Sequence, residues 1–155
     1  MAEAAGTGAP VLVDPKIPHI DYYSGATVIT PNHHEAEAAT HMRVRTEDEA
    51  REAARRFRDR AQCAGVLMTR GDQGMWLLEN GLEGYLRASA REVADVTGAG
   101  DTVIATVALA VAVGATLPEA ARLANEAAAL VVGKFGPATI GPEELLLAVD
   151  AAAQA

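Results

Sequence analysis

Residues 95–101 read Asp-Val-Thr-Gly-Ala-Gly-Asp and run straight into the apolar stretch TVIATVALAVAVGA. Glycines at 98 and 100 permit backbone conformations closed to other residues and let a ligand approach the main chain. If residues 97–100 turn into a helix, the N–H groups of 98–101 lack intrahelical partners, and the helix dipole adds partial positive charge there. Together they make an anion hole suited to a phosphoryl group gathering charge in transfer. Asp101 stands beside it as a carboxylate able to take the proton of an attacking hydroxyl. The competing reading is a plain helix N-terminus, with Asp101 a first-turn acid and the glycines serving tight packing. Other glycine motifs fit worse. A P-loop needs Lys-Ser/Thr where Asp101-Thr102 stand, and a dinucleotide fingerprint needs Gly or Ala in place of Val103, with a strand just before.

A loop of this kind must be held by regular elements. APVLVDP and ATVITPN read as short buried strands, apolar on both faces as parallel strands are. Asn32 can cap a helix over HHEAEAATH. Thr46 with Glu49 three residues on is a capping-box pattern opening a charged amphipathic helix that runs to Cys63. A buried strand is expected at 65–69, then strands 74–79 and 82–87 joined by Asn80-Gly81, a strong hairpin signal. Helices are expected at 100–113, 118–132 and 143–150, with Pro118 and Pro142 near the first turns, where proline is tolerated. The order of elements predicts a layered α/β domain with a partly parallel sheet over residues 1–150, and a frayed tail at 151–155. The first strand reads as a central one, so flanking strands are expected and the chain reads as the C-terminal part of a larger fold. An exposed apolar sheet edge would favour self-association.

With 155 residues, half of them apolar, the chain can build a real core in one domain. The formal net charge of −8 argues against nucleic-acid binding. The basic runs REAARR and RFRDR are interleaved with acids, as on a solvated helix face. An acidic protein can still hold phosphate through backbone N–H groups. Cys63 is the single cysteine, which excludes an internal disulfide and fits a reducing compartment. No basic segment leads into an apolar one at the start, and the apolar run 103–113 is too short to span a bilayer, so a soluble cytoplasmic protein is expected. His34 and His41 lie two helical turns apart, and His33 and His34 are expected on different faces, so no transition-metal site is expected. Lys16 and Lys134 are either phosphate partners or exposed lysines. Trp76 and Tyr85 read as packing residues, and Cys63 as a helix residue.

DVTGAGD followed by a small-residue helix resembles the C-terminal signature of the ribokinase-like (PfkB) carbohydrate kinases. TPNHHEAE resembles that family's N-x-x-E segment, MTRGDQG its T-x-G nucleotide segment, and ANEAAALVVGKFG the helix and loop bordering the adenine. Within the family, VDPK leading into TPN and the ending VVGKFG most resemble the heptose-7-phosphate kinase domain of ADP-heptose synthesis, a route to lipopolysaccharide. The resemblance implies a ribokinase-like fold and an ATP-dependent phosphotransferase acting on a sugar hydroxyl, here the anomeric oxygen of heptose 7-phosphate. Asp101 is implied as the catalytic base, and Gly98, Ala99 and Gly100 as the anion hole. Asn32 and Glu35 are implied to organise Mg²⁺ through water near the ATP phosphates, a role suited to hard oxygen ligands. Thr69 and Gly71 are implied to meet the nucleotide phosphates or ribose, Asn125 to border the adenine, and Gly133 and Gly136 to shape its loop. Asp95 and Thr97 are implied to hold a monovalent cation, K⁺, as in some relatives. Val96 departs from the family's usual threonine. Nothing before Pro10 resembles the family's N-terminal sugar-binding half and lid, so a complementary N-terminal half or a homo-oligomer is the expected partner, beside nucleotide and sugar phosphate. The alternatives are another sugar kinase of this family and a non-catalytic nucleotide-binding remnant or partner module.

Overall fold

The turn residues set the frame. In the computed structural model, which describes residues 6–89 and 92–154, Asn80 and Gly81 take φ of 48° and 82°. Two successive left-handed residues make the tight hairpin turn whose twist matches its strands. It joins β4 (Met75–Glu79) to β5 (Leu82–Leu86). Before them come β1 (Leu12–Val13), β2 (Val28–Ile29) and β3 (Gly65–Thr69). The sheet order is β1-β2-β3-β4-β5, with β1, β2 and β3 parallel and β4 and β5 antiparallel. The expected strands are therefore present, but β4 starts and β5 ends one residue inside their expected bounds. Contrary to the sequence expectation, β1 lies at an edge of this sheet.

The chain divides into two compact units, Met1–Arg87 and Ala88–Ala155. In the first, α1 (His33–Thr40) and α2 (Glu47–Ala61) join the sheet, and a 3-10 segment, Ile17–Tyr23, links β1 to β2. Ala50, Ala53, Ala54, Phe57 and Ala61 form the buried stripe of α2. This 3–4-residue spacing puts them on one face, where methyl groups let the helix sit close to the strands. Ile29, Val66, Met68, Trp76 and Leu78 complete that core. Val28, Leu67, Met75 and Leu77 are buried as well. The Arg55 guanidinium forks onto Glu83 of β5 at 3.2 and 2.9 Å, tying the solvated face of α2 to the hairpin. Cys63 lies beyond the left-handed Gln62 that ends α2, in a loop rather than in the helix as expected. Burial pushes its thiol up to about 11.

The second unit holds α3 (Ala99–Ala112), α4 (Leu117–Val132) and α5 (Pro142–Ala153). Val103, Thr106, Val107 and Ala110 are the buried positions of α3, and Ala120, Ala121, Ala124, Ala127 and Val131 are among those of α4. The two helices pack against each other along these small-residue stripes. Thr116 and Glu119 form a capping box at the start of α4 that sequence reading passed over, although the T-x-x-E signal is present. Helix α5 runs to Ala153, so the expected fraying at 151–153 gives way to helix; Ala155 lies outside the described residues. Large exposed apolar residues are concentrated on this unit, at Leu109, Val113, Phe135, Leu146 and Leu147, rather than on the β1 edge. Among the described residues no helix is long and apolar enough to cross a membrane.

Candidate active site

In the first unit the expected residues gather at the C-terminal ends of β2 and β3. Asn32 and Thr69 form a parallel bridge, and the Thr69 N–H donates to the Pro31 carbonyl at 2.9 Å. Gly71 follows at once and opens the short 3-10 turn Gly71–Gln73. Strand ends of this kind are where open α/β sheets present ligand groups. Asn32 caps α1: its Oδ1 accepts from the Glu35 N–H at 2.9 Å, and Glu35 Oε2 accepts from the Asn32 N–H at 2.8 Å. Each side chain thus has one oxygen position engaged. Glu35 Oε1 and the second lone pair of Asn32 Oδ1 remain. Among the described residues no group of three or more His, Cys, Asp or Glu side chains could hold a metal ion. This donor set fits a hydrated Mg²⁺ reached through water, and not a metal caged by protein.

His33 and His34 do not face apart as expected. Their ring centroids lie 3.9 Å from each other, and both line a cavity of about 310 Å³ with Arg45, Arg70 and Gly71–Gln73. Burial, and then the neighbouring His34, hold His33 below the usual histidine range. The Lys16 ammonium sits 3.2 Å from Asp14. Trp76 is buried, and the half-buried Tyr85 donates its hydroxyl to the Gln73 carbonyl; both are packing residues, as expected.

In the second unit, Gly98 is the N-cap of α3 with φ 81°. That left-handed conformation suits glycine, and the turn into the helix closes over 96–99, one residue before the expected 97–100. The Gly98 carbonyl accepts from both the N–H and the hydroxyl of Thr102, each at 2.9 Å. One donor of the expected anion hole is engaged within the turn. The Ala99 N–H donates to the Val96 carbonyl at 3.2 Å, closing the turn, and is not free to meet an anion. Among the described residues, the N–H groups of Gly98, Gly100 and Asp101 have no such partner, and the helix has no side-chain cap. The exposed carboxylate of Asp101 lies in the same first turn.

Asp95 braces this loop. Its Oδ1 accepts from the Thr97 N–H at 2.9 Å, and its Oδ2 accepts from the Gly136 N–H at 3.1 Å. Thr97 is the main cause holding the carboxyl below its usual range. The Ala94 and Asp95 N–H groups both donate to the Val132 carbonyl, at 2.7 and 3.1 Å. The DVTGAGD loop is thereby fixed to the end of α4, where Gly133 is the C-cap. Asn125 is buried in the middle of α4. Its Nδ2 donates to Ser89 Oγ at 2.8 Å, and Ser89 donates to Glu126 Oε1 at 2.5 Å. Sequence reading missed Ser89 and Glu126, which no local motif marks. Lys134 is engaged by Glu144 at 2.9 Å and the Thr139 carbonyl at 3.0 Å, so its ammonium ties the loop to α5.

The sheet passes from parallel to antiparallel pairing, and a glycine turn opens an apolar helix with an exposed aspartate in its first turn, which makes this an α/β fold with candidate ligand groups at its strand and helix ends. The chain belongs to the pfkB family of carbohydrate kinases, whose model matches residues 1–144. It is 49% identical to the bifunctional protein HldE of Paramagnetospirillum magneticum, over 94% of this chain and 30% of that protein. It is 46% identical to the D-beta-D-heptose 7-phosphate kinase of Bordetella bronchiseptica, over 94% of this chain and 46% of the relative. The chain thus spans less than half the length of these curated relatives. Arabidopsis thaliana ribokinase, solved with ribose and ATP, superposes with a TM-score of 0.80 at 26% identity, over 93% of this chain and 48% of that one. Escherichia coli phosphofructokinase-2 superposes with a TM-score of 0.84 at 18% identity, over 97% of this chain and 50% of that one. The fold is ribokinase-like α/β.

Proposed function

We propose that this chain carries the nucleotide side and the catalytic base of an ATP-dependent kinase for heptose 7-phosphate, acting on the anomeric hydroxyl in a cytoplasmic setting. The observation that carries the reading is the first turn of α3, where unengaged N–H groups of Gly98, Gly100 and Asp101 stand beside an exposed carboxylate. The heptose assignment is supported by relatives named as HldE and heptose 7-phosphate kinase at 44–49% identity.

Asp101 takes the proton of the sugar hydroxyl as its oxygen forms a bond to the γ-phosphorus of ATP. The bond from that phosphorus to the β–γ bridging oxygen breaks, and ADP leaves. The N–H groups of Gly98 and Gly100 hold the phosphoryl oxygens as charge builds on them. Thr69 and Gly71 meet the nucleotide, while Asn125, Gly133 and Gly136 shape the adenine side. Glu35 and Asn32 would hold a hydrated Mg²⁺ through water, and that ion would neutralise phosphate charge. Asp95 and Thr97 would hold a K⁺ ion, which would supply further positive charge. A complementary sugar-binding half completes the site.

The test is ATP-dependent phosphorylation of heptose 7-phosphate by this chain joined to the remaining length of the curated kinase relatives, with and without Asp101→Asn. Loss of a general base costs about 10²–10⁴ in rate, while ATP binding, which rests on backbone donors, persists. Near-wild-type turnover in the variant would make Asp101 only a first-turn acid.

A further inference from the structure

The loop that joins α4 to α5 has little to hold it. Residues 133–141 are all exposed or half-buried, and the aromatic side chain among them, Phe135, is 90% exposed. Gly136 takes φ of 71°, a conformation that glycine permits but does not enforce. Because burial does not fix the loop, its shape depends on polar bonds, and these come from two places. The Gly136 N–H donates to Asp95 Oδ2 at 3.1 Å. Two residues earlier, the Lys134 ammonium donates to the Thr139 carbonyl at 3.0 Å and meets both carboxylate oxygens of Glu144 at 2.9 Å.

Lys134 thus closes residues 134–139 into a ring and pins that ring to the first turn of α5. A carboxylate suits the position of Glu144, at the positive end of the helix dipole. With side chains 36% and 40% exposed, the ion pair adds little to the stability of the whole fold. Its effect is local: it sets where Gly136 stands. Gly136 meets Asp95, and Asp95 Oδ1 accepts from the Thr97 N–H in the turn that leads to Asp101. One ammonium therefore stands behind both the loop after α4 and the DVTGAGD loop.

We propose that Lys134 is a positioning residue for the nucleotide: locked by Glu144, it holds the 134–139 loop in its binding shape before the nucleotide arrives. This rests on the reading of Gly133 and Gly136 as the adenine side. The ammonium is engaged by Thr139 and Glu144, so the role needs no contact with phosphate. A loop without this latch must be ordered by the ligand, and the entropy lost in ordering it weakens binding.

ADP and adenosine, titrated into the full chain by calorimetry and amide NMR, are the probes. Lys134→Met should weaken both ligands alike, about fivefold or more. It should also speed exchange of the Gly136 amide, and melt within about 2 °C of wild type, as loss of an exposed pair allows. Glu144→Gln should weaken both ligands by a smaller factor, because the bond to Thr139 survives; it decides the matter if Lys134→Met does not fold. The double variant should bind as Lys134→Met does, since the two side chains act as one unit. Loss of ADP affinity with adenosine affinity kept would make Lys134 a direct phosphate partner and overturn the proposal. So would wild-type affinity in Lys134→Met, or additive losses in the double variant. A wild-type chain that binds neither ligand would overturn the adenine reading itself, and this role with it.

Discussion

Asn32 and Glu35 cap each other, each side chain accepting the other's backbone N–H at 2.8–2.9 Å. The two residues that resemblance assigns to Mg²⁺ therefore also start α1. One substitution can separate the two jobs. Glutamine keeps an acceptor at position 35 and supports a capping box, but it carries no charge. Glu35→Gln should melt within about 1–2 °C of wild type, whereas Asn32→Ala should lose about 1 kcal/mol, a fall of about 2–4 °C. Thermal melts with and without Mg-ADP read both roles. If Glu35 serves the ion, the Mg-ADP stabilisation shrinks in Glu35→Gln although the helix is intact.

Asp95 gives a pH signature. Its folded-state pKa is depressed below the ordinary 3.8, chiefly by Thr97. A depressed carboxylate contributes stability that is present above the unfolded pKa and lost as pH falls through the folded one. Asp95→Asn should therefore melt lower than wild type at pH 7, and the gap should narrow steadily below about pH 4. A gap that stays constant from pH 7 to pH 2.5 would mean that the Thr97 and Gly136 contacts do not depend on the charge.

Local chemistry made much of this fold readable, and the misses share a cause. Asn80-Gly81, Thr46 with Glu49 and Asn32 each specify a turn or cap within four residues, and each is found where expected. The bounds of β3 were legible because its apolar run is bracketed by glycine and Thr-Arg-Gly. The edge position of β1 depends on which strands pair, and no local pattern encodes that. The 3-10 segment Ile17–Tyr23 was not foreseen, because its apolar residues Ile17, Ile20 and Tyr23, which pack on the core, recur at the 3-10 spacing over too short a stretch to signal a helix. At the site, the glycine turn was legible, but the use of the Ala99 N–H to close it follows from a left-handed Gly98, a detail of φ and not of residue type. Arg70 lies in full view inside MTRGDQG, yet its burial comes from tertiary packing around the β3–β4 turn. An arginine is almost never expected to be buried unless paired.

Cys63 should be a slow thiol. Its pKa of about 11, raised by burial from 9.0, leaves about a hundredfold less thiolate at neutral pH than an ordinary cysteine has. Its Sγ also lies 3.4 Å from the Gly65 carbonyl, to which it can donate. Alkylation by iodoacetamide at pH 7.4 should lag a free thiol by about that factor and recover its ordinary rate in denaturant. Equal rates in native and denatured protein would show that the loop after α2 opens readily.

The two glycines of the α3 turn can be told apart by adding one methyl group to each. Gly98 has φ 81°, so although no atom lies within 4 Å of an added Cβ, Gly98→Ala forces a left-handed alanine. That costs about 1–2 kcal/mol, and both stability and nucleotide binding should fall. Gly100 lies in the first turn of α3, has no positive φ, and also has open space around an added Cβ. Alanine there favours the helix by up to about 1 kcal/mol, so Gly100→Ala should melt at or above the wild-type temperature. The added methyl enters open space in the same first turn as the N–H groups of Gly100 and Asp101, where it would crowd a phosphoryl group bound to them. If those donors form the anion hole, the stabilised variant should lose about tenfold or more in kcat/KM when joined to the complementary half. If the glycines serve only to start a helix, Gly100→Ala should be as active as wild type and more stable. A rise in melting temperature with a loss of turnover is the outcome that a packing role cannot produce.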